Sequence, residues 1–68
     1  MISFAQRLKE LRTENNLTQT QLAVKLGIRQ QSYARYENGE GEPSLDTLVA
    51  IAKLFNVSVD YLLGLTDY

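Results

Sequence analysis

Three side chains in this 68-residue chain carry the most specific chemistry: Gln30, Gln31 and Arg35. They fall within "GIRQQSYARYENG", Gly27 to Gly39. A glutamine carboxamide sets a donor beside an acceptor, which matches adenine N6 and N7. An arginine fork offers paired donors, which match guanine O6 and N7. At about 100° per helical residue, Gln31, Ala34, Arg35 and Asn38 share one side, with Gln30 at its margin. Tyr33, Tyr36 and the Cα of Glu37 fall on the opposite side. Ala34 is small, so the polar side can approach a partner closely. The plain alternative is a solvated helix face whose polar groups meet only water.

Composition narrows the other possibilities. Sixty-eight residues make a single domain, residues 1–68, with a modest core. Cysteine and histidine are both absent. That removes disulfides, thiolate metal sites, the commonest general base and the near-neutral pH switch. No nucleophile–base pair or phosphate-cradling glycine loop is evident, so an enzyme, a metal site and a cofactor are not expected. No segment is long and apolar enough to span a bilayer, and the amphipathic N-terminus lacks a signal-type run. The lack of cysteine accords with a reducing cytoplasm. Net charge is −1, but it is unevenly spread. Residues 1–38 carry six cations against three carboxylates, whereas residues 39–68 carry one against five. One half can therefore face a polyanion, although ordinary surface scatter produces excesses of this size too.

Five short helices must position these groups. Phe4, Leu8 and Leu11 give the first, to about Asn15, an apolar stripe. Thr18 and Gln21 make a Thr-x-x-Gln capping box for the second, with Leu17 and Leu22 at staple spacing. Gly27 stops it, and "GIR" is a turn short enough to force a steep crossing. The third runs from Gln30 to Glu37, behind Arg29, a poor cap. Asn38–Gly39 ends it. Ser44 caps the fourth, Leu45 to Phe55, with Leu45, Leu48, Val49, Ala52 and Phe55 as its expected buried face. Ser58 caps a brief fifth helix that Gly64 closes. The expected fold class is all-α.

"LTQTQLAVKLGIRQQSYARYENG" followed by "PSLDTLVAIAKLFNVSVDYLLG" closely resembles the phage-repressor and Cro-like helix-turn-helix family, over about Leu8 to Gly64. The resemblance implies a five-helix, lambda-repressor-like domain with its helix-turn-helix near residues 18–38. It also implies sequence-specific binding of double-stranded operator DNA, usually as a homodimer, and regulation of transcription, most often repression. By position, Gln30, Gln31 and Arg35 resemble base-reading residues. Gln19 resembles a phosphate contact that also steadies the reading glutamine, and Thr18 and Asn38 resemble further backbone contacts. Free N–H groups at a helix start independently favour phosphate near Thr18 and Gln19. Arg12 and Glu37 fall where some members have a buried ion pair.

Three departures stand out. The loop after "ENG" is commonly basic in the family but here reads Glu40, Gly41, Glu42, and carboxylates near phosphate oppose binding. Arg29 replaces the usual capping serine or threonine and is placed to reach a phosphate. Tyr33 replaces an aliphatic residue, with its hydroxyl expected at the core's edge. The acidic loop gives some support to a different class, a protein-interaction or antitoxin-like module on the same fold. A dimer also has a geometric motive, because one recognition helix spans few base pairs and a second must sit about 34 Å away. Val59, Tyr61 and Leu65 are the candidate dimer contacts, with completion of the core as their alternative role. No small-molecule ligand is implied.

Overall fold

A computed structural model describes residues 2–68. Five helices follow one another: α1 (Phe4–Glu14), α2 (Gln19–Leu26), α3 (Gln30–Glu37), α4 (Leu45–Phe55) and α5 (Val59–Leu62). Side-chain oxygens open four of them. Ser3 accepts from Gln6 N–H, Ser44 from Thr47 N–H, and Ser58 from Tyr61 N–H. Thr18 and Gln21 exchange both bonds of the capping box, at 3.1 and 2.9 Å. Arg29 supplies no side-chain cap to α3.

The helix ends are also alike. Asn16, Gly27, Gly39, Asn56 and Gly64 all take positive φ. In each case the next residue's N–H reaches back five positions to a carbonyl, as Ile28 does to Ala23 at 3.0 Å and Val57 to Ala52 at 3.0 Å. This closes otherwise orphaned carbonyls at the helix end. The following residue is apolar in four cases (Leu17, Ile28, Val57 and Leu65) and Glu40 in the fifth. Gly27, at φ 70° and ψ 30°, sets the α2–α3 turn.

Every helix contributes to one core. Leu8 and Leu11 come from α1, Leu22 and Ala23 from α2, Tyr33 from α3, Ile51 and Ala52 from α4, and Leu62 from α5. Leu17, Ile28 and Val57, the residues preceding three caps, pack on its margin. The first helix ends where expected, at Glu14 with Asn15 as its cap, and one expectation needs correction. The buried face of α4 is Leu48, Ile51, Ala52 and Phe55, while Leu45 is 80% exposed and Val49 also faces outward. Helix α4 carries two overlapping apolar stripes, and only one can face the core. Leu45 occupies the first helical position, where the side chain points back beyond the end of the helix.

Gly27→Ala meets open space, so backbone strain alone sets its effect. The expected loss is about 1–2 kcal/mol, or roughly 4–8 °C in Tm per kcal/mol by thermal unfolding. An unchanged Tm would show that the turn can adopt another conformation.

Candidate nucleic-acid interface

Helix α3 is held from behind and free in front. Tyr33, fully buried, anchors its inner side, and Tyr36 meets Tyr33 edge to face at 6.5 Å between ring centroids. On its outer side Gln30, Gln31, Arg35 and Asn38 are exposed, and Ala34 lies half-buried between them. Among the described residues, neither glutamine side chain has a hydrogen-bond partner, so both amides retain their donors and acceptors. Arg35 Nη2 donates to the Glu40 carbonyl at 3.3 Å. Arg35 also lines a shallow cleft with Ser32, Tyr36, Gly41 and Glu42. The acidic loop thus lies directly beside the strongest donor on this face.

What fixes the inner side is a buried carboxylate. Arg12 Nε donates to Glu37 Oε2 at 2.6 Å and Arg12 Nη2 to Oε1 at 3.1 Å, a bidentate pair. Gln19 Nε2 donates to Oε1 at 3.1 Å, and the Tyr33 hydroxyl donates to Oε2. Arg12 Nη1 donates to the Leu17 carbonyl at 2.9 Å. One cluster therefore joins α1, the α1–α2 link, the start of α2 and the end of α3. Burial pushes the Glu37 carboxyl up, but the bonds from Arg12, Tyr33 and Gln19 outweigh it and hold the group below the ordinary 4.5. The hydrogen bonds that Arg12 donates to Glu37 raise Arg12 above its ordinary value, and burial followed by Glu37 raises the Tyr33 phenol.

Two details go beyond the sequence reading. Gln19 donates from its amide nitrogen to Glu37. An ionised carboxylate is a stronger acceptor than a neutral amide. The Tyr33 hydroxyl is not at the edge of the core but inside, because Glu37 gives it a buried acceptor. At the start of α2, the Thr18 oxygen accepts from Gln21 N–H and keeps its own O–H free to donate. Arg29 is exposed at the start of α3.

The C-terminal candidates divide. Val59 and Tyr61 are partly buried and pack against the core. Leu65 is 66% exposed. The reason for Tyr61's placement is Arg7, which the sequence reading passed over. Arg7 is 7% exposed and stacks its guanidinium 3.9 Å from the centre of the Tyr61 ring. Its Nε has no hydrogen-bond partner. The signal was available: Phe4, Arg7, Leu8 and Leu11 fall at i, i+3, i+4 and i+7, so Arg7 sits on the apolar stripe of α1. Among the described residues no group of His, Cys, Asp and Glu could hold a metal ion, and no helix could cross a membrane.

A helix-turn-helix family model matches residues 8–62. The chain belongs to the helix-turn-helix family. Among family relatives, the uncharacterized HTH-type transcriptional regulator YobD of Bacillus subtilis is 53% identical over 64 residues, which cover 94% of this chain and 57% of YobD. The cryptic phage CTXphi transcriptional repressor RstR of Vibrio cholerae is 44% identical over 59 residues, covering 87% of this chain and 53% of RstR. The chain thus spans about half the length of these relatives. Among solved structures, the P22 c2 repressor in complex with a synthetic operator superimposes with a TM-score of 0.86 at 27% identity, covering 93% of this chain and 96% of that one.

Arg12→Ala leaves the Glu37 carboxylate buried without its charge partner, and the expected loss is about 3–5 kcal/mol. Replacing both residues, as Arg12→Met/Glu37→Met, is expected to cost far less, since no charge is stranded. The pair also sets an acid limit. The folded pKa of Glu37 lies below the ordinary 4.5. Its contribution to stability is therefore full above that pH and is lost as pH falls through the folded value. Thermal unfolding followed from about pH 6 to pH 2 should show a steeper decline for the native chain than for the double variant. Parallel curves would mean that Glu37 contributes nothing to acid unfolding.

Proposed function

We propose that this chain is a sequence-specific DNA-binding domain of a transcriptional regulator, most consistent with a repressor, acting in the cytoplasm. Helix α3 enters the major groove of double-stranded operator DNA. Gln30, Gln31 and Arg35 read base edges there, while Thr18, Gln19, Arg29 and Asn38 contact the sugar–phosphate backbone. The observation that carries this reading is the outer side of α3. It presents unengaged amide donors and acceptors, exposed on a helix whose inner side is locked by Tyr33 and Glu37. Kinship with the repressor RstR, and structural likeness to a repressor solved on an operator, support it. Two copies bind as a homodimer, because one helix reads too few base pairs for a specific site. Leu65 and Leu63, both exposed, supply apolar surface for that contact, and Leu63 also lines a groove with Phe4, Leu45 and Leu48.

A protein-interaction role on the same scaffold is the alternative. The observation favouring it is the acidic loop, Glu40 and Glu42, beside Arg35. Salt dependence separates the two, since binding through several phosphates weakens steeply as salt rises.

Selection from random duplexes, read out as enriched sequence and half-site spacing, tests the main proposal. A preferred motif with half-sites about one DNA turn apart is the expected result. No enrichment at low ionic strength would overturn it. Gln31→Ala should relax preference at one base position by about 1–3 kcal/mol in competition binding. Equal weakening on every duplex would remove Gln31 from base reading. Glu40→Lys should tighten binding on all duplexes and steepen the logarithmic salt slope by up to about two, since a negative charge is replaced by a positive one. An unchanged slope would place the loop away from the phosphates.

A further inference from the structure

We infer that Glu37 is a positioning residue for DNA contact, acting through the side chain of Gln19; this rests on the DNA-binding reading above. The observations are geometric. Glu37 has only 3% of its side chain exposed and sits at the end of α3, whereas Gln19 is half-buried at the first position of α2. Gln19 Nε2 donates one N–H to Glu37 Oε1 at 3.1 Å. A carboxamide nitrogen carries two N–H groups, and the second diverges from the first in the plane of the amide. With one bound to an interior acceptor, the other is the sole N–H left to serve a partner outside.

The carboxylate does two things to that amide. An ionised carboxylate only accepts, so it fixes which of the two amide ends faces inward. It also removes the rotamer freedom that a long glutamine side chain would otherwise surrender on binding. Glu37 is itself held rigid. Arg12 engages both its oxygens, and the Tyr33 hydroxyl takes Oε2, which leaves Oε1 for Arg12 and Gln19. The class of ligand that suits a single fixed, neutral N–H donor beside the reading helix is an anionic phosphate oxygen of the duplex. The backbone contact at the start of α2 is thereby indexed to the end of α3, so that register along the phosphates and aim of the base-reading residues come from one carboxylate.

The test uses the intact chain and the duplex preferred in selection, remade with a single neutral methylphosphonate at each phosphate in turn. For the native chain, several positions should weaken binding, and among them one in each half-site, the phosphate served by Gln19, by roughly tenfold, the loss of a hydrogen bond to a charged group. Gln19→Ala should be insensitive at that same position, with its logarithmic salt slope unchanged because no charge is lost. The decisive arm is Arg12→Met/Glu37→Met, which keeps Gln19 and strands no buried charge. It should lose the sensitivity at that phosphate as Gln19→Ala does, and adding Gln19→Ala to it should weaken binding no further. Glu37→Gln provides a second version of the same measurement, since an amide no longer dictates one orientation of Gln19. A merely structural Glu37 would lower Tm yet leave the phosphate profile intact. Full sensitivity at that phosphate in either Glu37 variant overturns the inference alone. A chain that prefers no duplex overturns the DNA reading and the inference together.

Discussion

A carboxylate with almost no access to water stays ionised only when its surroundings replace what water would have given. Glu37 receives that replacement from Arg12, Gln19 and Tyr33, whose donors converge on its two oxygens. Desolvation opposes the arrangement and the hydrogen bonds prevail. The cluster contributes orientation more than net stability, since a buried ion pair roughly balances its own desolvation. Its members lie on α1, α2 and α3, so the relative placement of those three helices is set by one planar group. Hydrophobic packing of Leu8, Leu22 and Tyr33 holds the same helices together, but it is less directional.

The outward side of α3 follows a different logic. A chain with net charge −1 cannot rely on bulk attraction to a polyanion. On the proposed reading Gln30 and Gln31 need none, because amide pairing with a base edge depends on geometry and not on charge. Arg35, on the same proposed reading, combines both kinds of contact, and the Glu40–Glu42 segment beside it tempers the charge. Weak attraction to arbitrary phosphates, with specific contacts retained, raises the ratio of selective to unselective binding, which is the quantity that matters among many competing sites.

The local features were legible in the sequence because they are written locally. The Thr18–Gln21 box, Gly27, the span of α3 and the outward position of Gln31 and Arg35 depend on residues within a turn or two of one another. The misread features depend on what lies across the core. Two stripes on α4 were equally apolar, and only the location of its neighbours selects Ile51 over Leu45 and Val49. For Tyr61 the sequence left a dimer contact and a core role both open, and the Arg7 guanidinium against its ring comes from another helix. The bonds that the Tyr33 hydroxyl and the Gln19 amide make to Glu37 were not foreseen, because for Gln19 that carboxylate becomes a neighbour only after α2 and α3 cross. The pairing of Arg12 with Glu37, 25 residues apart, was foreseen through family resemblance and not through any periodicity.

The shared way in which the helices end bears on how the chain reaches this state. Each terminus is closed by a left-handed residue and a backward bond spanning five positions, assembled from a single short segment. Helical boundaries specified at such short range form on the submicrosecond scale of helix–coil relaxation, well before distant parts of the chain meet. What is left for the search is the docking of preset pieces, with few distant loops to close. Such topologies belong to the rapid end of the folding spectrum. A domain of this kind can leave a ribosome or a transient unfolding event and regain its shape with little time spent exposing apolar surface.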